Sequence, residues 1–419
     1  MIETFLHAWS TESYHESIAM LIEAKLARER IRDFICYTPC QFSADLSGIT
    51  GQQVFLKLDN LQRTGAFKER GALNKILLLG EKEKQRGIVA ASAGNHAQAV
   101  AFHATERNIR ALIVMPLMTP LVKVSATRGY GAEVVLFGAN YDEAYAEALR
   151  RSEDQGMTLL HPFDDMDVIH GQGTIGLELL EQVPDLEAVV IPIGGGGLIS
   201  GVAGVLKESN PSIRVIGVQT ERLPSMLRAC AKGEPVTLPA DATIADGIAV
   251  RRAGDITMPL VQRYVDEMVT VDEEEIASAI LVLLEREKTL AEGAGAVALA
   301  ALLHKKTSLG RQKTAVMVCG GNIDVSLLAR IIERGLVKDG RRVRIRVHLT
   351  DRPGALHQLT KILAEQQANI VETLHNRSHY GVNLGDTVID ITLEARGVAH
   401  IQTISAALKT AGYKFERIQ

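Results

Sequence analysis

The chain has 419 residues, 46% of them hydrophobic and 23% charged, with a net charge of −4. That length exceeds an ordinary single domain, so more than one core is expected, and the mild acidity offers no electrostatic footprint for nucleic acid. No run approaches the ~20 apolar residues of a membrane helix, and MIETFLHAWSTESYHES at the start has neither the basic nor the apolar segment of a secretory leader, so no membrane partner and a cytoplasmic location are expected.

A helix is predicted over 13–35, with Ile18, Leu21, Ile22, Ala24 and Leu26 as its apolar positions. Short β-branched runs then alternate with helical patterns: VFLKL 54–58, GIVAAS 87–92, ALIVM 111–115, EVVLF 133–137, AVVIPI 188–193, RVIGV 214–218 and TAVMV 314–318. Apolar runs without clean alternation, separated by helices, predict an α/β fold whose mainly parallel sheet is covered on both faces. The pattern changes after ERGLVKDGRRV 333–343, where strand, helix, two strands, helix and strand follow in the βαββαβ order of a ferredoxin-like unit. A boundary is placed near residue 338. RRVRIRV 341–347 reads as an amphipathic strand with one solvated face.

Ligands in parallel sheets bind where strand carboxyl ends turn into helices, so those ends are the candidate sites. AVVIPI runs into Gly194, Gly195, Gly196, Gly197 and Leu198 before a helix, where glycine amides can point at an anion helped by the helix dipole. A phosphate is the expected guest, yet the stretch is neither a Walker A loop nor a G-x-G-x-x-G fingerprint. A second end, SAGNHAQ, puts Ser92, Ala93, Gly94, Asn95 and His96 at a helix start that suits a carboxylate, or serves as a bare cap. A third places Cys319 and two glycines after TAVMV. The four cysteines, Cys36, Cys40, Cys230 and Cys319, have no CxxC spacing and signal neither zinc nor a disulfide framework. Lys68, in LQRTGAFKERGA 61–72, is the one cation singled out beside these ends.

KLDNLQRTGAFKERGA, SAGNHAQ, GGGGL and CGGN, in this order, resemble the motifs of the fold type II pyridoxal-phosphate enzymes, most closely the threonine ammonia-lyases (threonine dehydratases), over roughly residues 35–335. LTDRPGALHQLTKILAEQQANIVET is similar to an ACT domain, a small amino-acid-sensing module. The resemblance implies a tryptophan synthase β-like catalytic domain over 1–337, with two open twisted sheets and a small subdomain at roughly 55–165, then an ACT-like regulatory domain over 338–419. It implies β-elimination of L-threonine, and of L-serine, to a 2-oxo acid and ammonia, in isoleucine biosynthesis or threonine catabolism, by a homodimer or homotetramer.

The same resemblance assigns roles. Lys68 forms the Schiff base with pyridoxal 5'-phosphate, and its freed amine then acts as base at the substrate Cα. Gly194, Gly195, Gly196, Gly197 and Leu198 hold the cofactor phosphate, Asn95 the ring hydroxyl, and Cys319 faces the pyridine nitrogen. Gly247 and Glu292 are further cofactor contacts, each also readable as a turn glycine and a helix-start acid. The turn Ser92 to His96 receives the substrate carboxylate. Ala93 stands where the related serine racemases carry a second base, which speaks against a two-base racemase. Gln219 and Ser225 stand where those enzymes place metal carboxylates, so no divalent metal is expected. In the tail, Gly354, Ala355 and Leu356 of DRPGAL are the expected effector contacts, with Pro353 near the first helical turn. His375 and His379 fall in a strand-to-hairpin region rather than on one helix face, so a metal pair there is not expected. A hydroxyaspartate ammonia-lyase is the alternative within enzymes, favoured by an extra cation in the pocket; a non-enzymatic amino-acid sensor is the alternative outside them.

Overall fold

The computed structural model describes residues 19–376, 383 and 385–418. In chain order, β1 (Cys40–Ser43) and β2 (Gln53–Leu58) open a six-stranded sheet; β3 (Ile88–Ala91), β4 (Ala111–Met115), β5 (Glu133–Leu136) and β6 (Thr158–Leu159) form a separate four-stranded sheet in the order β5-β4-β3-β6. β7 (Ala188–Pro192), β8 (Arg214–Thr220), β9 (Glu267–Val271) and β10 (Lys313–Val318) return to the first sheet, ordered β1-β2-β10-β7-β8-β9. The edge pair β1 with β2 is antiparallel and the other pairs of both sheets are parallel. Every residue of β3, β4 and β7 is buried, which is why these strands read as continuous apolar runs.

Three of these strands carry no such run. In β1 only Ser43 is buried, β6 has two half-buried residues, and β9 buries Val271 alone. β2, at the start of the stretch expected as the small subdomain, pairs with β10 in the large sheet, Gln53 opposite Lys313.

The first described helix is Ala19–Ile31, and residues 13–18 of the predicted helix lie outside the described residues. Its buried positions are Met20, Ala24, Ala27 and Ile31, whereas Ile22 and Leu26 are exposed. The expected apolar face is therefore rotated, and the cause is glycine on its neighbours. A Cβ on Gly173 would lie 3.1 Å from Ala24 Cβ, and one on Gly204 would lie 2.5 Å from Met20 Cγ. Close approach at those two glycines selects the Met20 and Ala24 side for burial.

The chain divides into two compact units, Met1–Ile323 and Asp324–Gln419. The second holds the helix Val325–Lys338, then β11 (Arg342–Thr350), helix Ala355–Glu365, β12 (Asn369–Asn376), β13 (Asp386–Glu394), helix Val398–Thr410 and β14 (Lys414–Arg417). Its sheet order β12-β13-β11-β14, antiparallel throughout, is the ferredoxin-like one. β11 buries Val343, Ile345, Val347 and Leu349, while Arg346 on its other face binds Asp390 at 2.7 Å. Helix Ala355–Glu365 starts after Gly354 at φ +89, with Pro353 immediately before the cap. His375 lies on β12 with Nε2 3.1 Å from Thr387 Oγ1, and His379 lies outside the described residues.

Candidate active site

Five strand ends of the first unit converge. After β2 the chain turns through Asp59–Leu61 and reaches the helix Lys68–Leu78, whose first residue is the lysine in question. The loop before it is stitched to the end of β10: Phe67 N–H donates to Cys319 O at 3.0 Å and Gly321 N–H to Gly65 O at 2.9 Å. Gly65 has φ +77, and a Cβ there would stand 2.5 Å from Asn322 Oδ1, so the crossing needs glycine.

The residues after Lys68 hold it in place. Glu69 is buried and accepts from Thr64 N–H, while its other oxygen lies 3.2 Å from His103 Nε2. Arg70 is wholly buried and bidentate: Nε and Nη2 meet Asp59 at 2.7 and 3.0 Å, and Nη1 and Nη2 meet Glu178 at 2.5 and 2.9 Å. Lys57 completes the cluster, donating to Glu178 at 2.5 Å and to Thr38 O at 2.7 Å. The guanidinium overcomes the burial penalty on the Asp59 carboxyl and holds it below its ordinary range. Gly71 lets the helix Met166–Gln182 approach, since a Cβ there would stand 2.7 Å from Val168 O.

Lys68 Nζ donates to Pro162 O at 2.7 Å. The side chain keeps some accessible surface, as a group on the floor of a cleft must, yet the atoms packed around the amine push its pKa down to about 8, with Cys319 and Glu292 opposing. A substantial fraction is then neutral near physiological pH, which is what a nucleophilic or basic amine requires.

Beyond β7, the amides of Gly194, Gly195 and Gly196 find no acceptor among the described residues, and helix Gly197–Ser209 begins there with no acid in its first turn and no side-chain cap. Gly195, Gly196, Gly197 and Leu198 are buried, so the donors that lack an acceptor among the described residues sit at the positive end of a helix. Side chains are excluded by contact: a Cβ on Gly195 would lie 2.4 Å from the Phe163 ring, and Gly196, at φ +97, would meet Met226 at 2.6 Å. Such a donor set fits a phosphate. Gln219, on β8 behind this loop, accepts from Leu227 N–H at 2.9 Å and donates to Ile193 O at 3.4 Å.

Asn95 opens the helix Asn95–Thr105 beyond β3, with Gly94 as its cap and Gly94 N–H bonded to Ser92 Oγ at 3.2 Å. Ser92, Ala93, Gly94 and Asn95 are half-buried and His96 is buried. Asn95 Nδ2 donates to Glu292 Oε1 at 2.7 Å, and Asn95 Oδ1 accepts from Asn322 Nδ2 at 2.8 Å. Burial, followed by the charge of Asp246, raises Glu292 to about 7. Gly247 sits against this carboxyl, its Cβ direction 3.3 Å from Oε1. Cys319 is buried, its thiol pushed well above its ordinary value by desolvation and then Glu292, with Sγ 3.5 Å from Ala294 O. It is a neutral thiol.

The structure thus brings Lys68, Asn95, Cys319, Glu292 and Gly247 into one network, with the glycine cup reached through Phe163. Four members were not singled out from sequence: Asn322, Asp246, and Pro162 with its neighbour His161. The "N" of CGGN was a visible signal for Asn322. A carbonyl such as that of Pro162 has none.

Residues 31–321 match the family model described as pyridoxal-phosphate dependent enzyme, and residues 343–410 match that of the ACT domain. The L-threonine ammonia-lyase of Thermotoga maritima is 50% identical over 394 residues, covering 94% of this chain and 98% of that protein. Among solved structures, processed threonine deaminase isoform 2 of Solanum lycopersicum superposes with a TM-score of 0.73 at 36% identity, over 78% of this chain and 89% of that one. Maize serine racemase gives 0.71 at 37%, over 76% and 98%. With the cup, the lysine and both domain matches in place, the chain belongs to the pyridoxal-phosphate-dependent enzymes, in the group of the threonine ammonia-lyases that end in an ACT domain.

Proposed function

We propose that the protein eliminates the β-hydroxyl of L-threonine, and of L-serine, releasing a 2-oxo acid and ammonia. The observation that carries the reading is the part-buried Lys68 amine, held near a pKa of about 8 beside an anion cup of amides without an acceptor among the described residues. Pyridoxal phosphate supplies an electron sink that makes the substrate Cα–H acidic.

The chain's own residues do the rest. Gly194, Gly195, Gly196, Gly197 and Leu198 would hold the phosphate through oriented N–H donors, of which those of Gly194, Gly195 and Gly196 have no acceptor among the described residues. Lys68 would carry the cofactor and, once displaced by the substrate amine, take the Cα proton. Asn95 would meet the ring hydroxyl, its amide fixed from both sides by Glu292 and Asn322. The turn Ser92–His96, at a helix N-terminus, would receive the substrate carboxylate. Cys319, a neutral thiol, would face the ring nitrogen without protonating it. Glu292 and Gly247 complete that wall.

Lys123, a basic side chain whose charge reaches Glu292, is bound to Asp246 at 2.5 Å and so is not free to meet a second substrate carboxylate. This favours threonine and serine over hydroxyaspartate. In the ACT domain, the turn Gly354, Ala355 and Leu356 would bind an amino-acid effector, with Leu356 39% exposed. Assembly as a homodimer or homotetramer is supported by the exposed Tyr37, Phe42 and Ile49 around the β1 edge. The test is 2-oxo acid release from L-threonine, L-serine and threo-3-hydroxyaspartate by cofactor-loaded protein. Rapid 2-oxobutanoate formation from threonine is expected, and no product from any of the three would end the reading.

A further inference from the structure

The segment following β6 is fixed at several points around the Lys68 amine. Leu160 O lies 3.0 Å from His96 Nε2, Pro162 O accepts from Lys68 at 2.7 Å, and the Asp164 carboxylate accepts from Ile256 and Thr257 N–H at 2.9 and 3.1 Å. Between these anchors stands His161, which the mechanism above does not use. Its Nδ1 accepts from Asp164 N–H at 2.7 Å and from Phe163 N–H at 3.3 Å. A ring nitrogen that accepts N–H bonds carries no hydrogen, so the neutral imidazole bears its proton on Nε2. That Nε2–H finds no acceptor among the described residues. The ring is held edge-on by Tyr145 at 5.7 Å and Phe163 at 4.6 Å, and it keeps some accessible surface. Burial, with the Lys68 charge, holds its pKa down at about 4, so it remains a neutral donor through the physiological range.

We infer that His161 donates a hydrogen bond from Nε2–H to the β-hydroxyl of the substrate and stabilises that oxygen as the Cβ–O bond breaks. This rests on the elimination reading. The hydroxyl is carried one carbon from the Cα whose proton Lys68 takes, and His161 is one residue from the carbonyl that the Lys68 amine already touches. The Cα–H electron pair becomes the Cα=Cβ bond, and the Cβ–O pair leaves on oxygen. The proton taken by Lys68 neutralises the hydroxide to water. His161 keeps its own proton, because a neutral imidazole polarises an oxygen without giving up its N–H.

His161→Asn keeps a side-chain oxygen for the two backbone donors and removes the Nε2–H, whereas His161→Gln returns an N–H to the reach of Nε2. Both variants, cofactor-loaded, are assayed with L-threonine, L-serine and β-chloro-L-alanine, whose chloride departs without a hydrogen-bond donor. Loss of one such donor lowers kcat/KM by about 100-fold, so that loss is expected for Asn with threonine and serine, against less than about fivefold with chloroalanine. Gln recovers about tenfold of it. Equal losses on all three substrates would make His161 a structural prop, and no loss would remove it from the site; either overturns the inference. Parent enzyme that turns over chloroalanine but neither hydroxy amino acid would instead overturn the reading that the β-hydroxyl of threonine and serine is eliminated, an outcome no variant is needed to see.

Discussion

Replacing Arg70 by methionine tests whether the buried charge cluster holds the Lys68 helix. Arg70 and Lys57 face Asp59 and Glu178, and none of the four side chains is more than 4% exposed. Removing the guanidinium leaves the cluster one negative charge in excess, without water to solvate it. Breaking a buried pair in this way costs ~3–5 kcal/mol. At about 2 °C per kcal/mol for a unit of this size, the first unit should melt about 6–10 °C lower, read by calorimetry or far-ultraviolet circular dichroism. Adding Asp59→Asn removes the surplus charge and leaves Lys57 against Glu178, so the double variant should lose at least about 1 kcal/mol less than the two single losses summed. The pH dependence has a fixed sign. The folded Asp59 carboxyl is held below its unfolded value, so its contribution is present above the unfolded pKa of about 3.9 and is lost as pH falls through the lower folded one. An Arg70→Met protein melting within about 1 °C of the parent, or strictly additive variants, would refute the role given to the cluster.

Three further outcomes follow from the site. Lys68→Ala should lose the cofactor absorption band and about 10⁴-fold or more in activity; in the parent, uptake of cofactor by apoprotein should accelerate with rising pH through a midpoint near 8, because only the neutral amine attacks. A midpoint near that of a free lysine would refute the depressed pKa. Gly195→Ala drives a Cβ to 2.4 Å from the Phe163 ring, and cofactor affinity by fluorescence titration should fall about tenfold or more, with unchanged affinity refuting the cup. Burial raises Glu292 most and the Asp246 charge adds to it, so Asp246→Asn, which removes that second contribution and leaves the Lys123 charge unopposed, should move the Glu292 midpoint, read by infrared difference titration, below about 7.

What was legible in the sequence was whatever one strand and its following loop encode together. β3, β7 and β10 are buried on both faces, so each wrote an apolar run ending in small polar residues, and the positions of Asn95, the glycine cup and Cys319 could be read from those endings. β1, β6 and β9 wrote no such run, because an edge strand, a two-residue strand and a half-buried one need little apolar sequence. The same distinction governs the site. Lys68 stood out through the motif that surrounds it, but the groups that set its chemistry did not. Pro162 contributes a carbonyl, which any residue could supply, and Asp59 and Glu178 meet Arg70 across sequence separations of 11 and 108 residues with no local pattern linking the three. His161 shows the limit most directly. Its donor nitrogen is defined only because Phe163 and Asp164 turn their N–H groups back onto the opposite ring nitrogen, a consequence of how the chain leaves β6. Residue type announces which atoms are present; which of them are free to act is decided by the hydrogen bonds the fold has already spent.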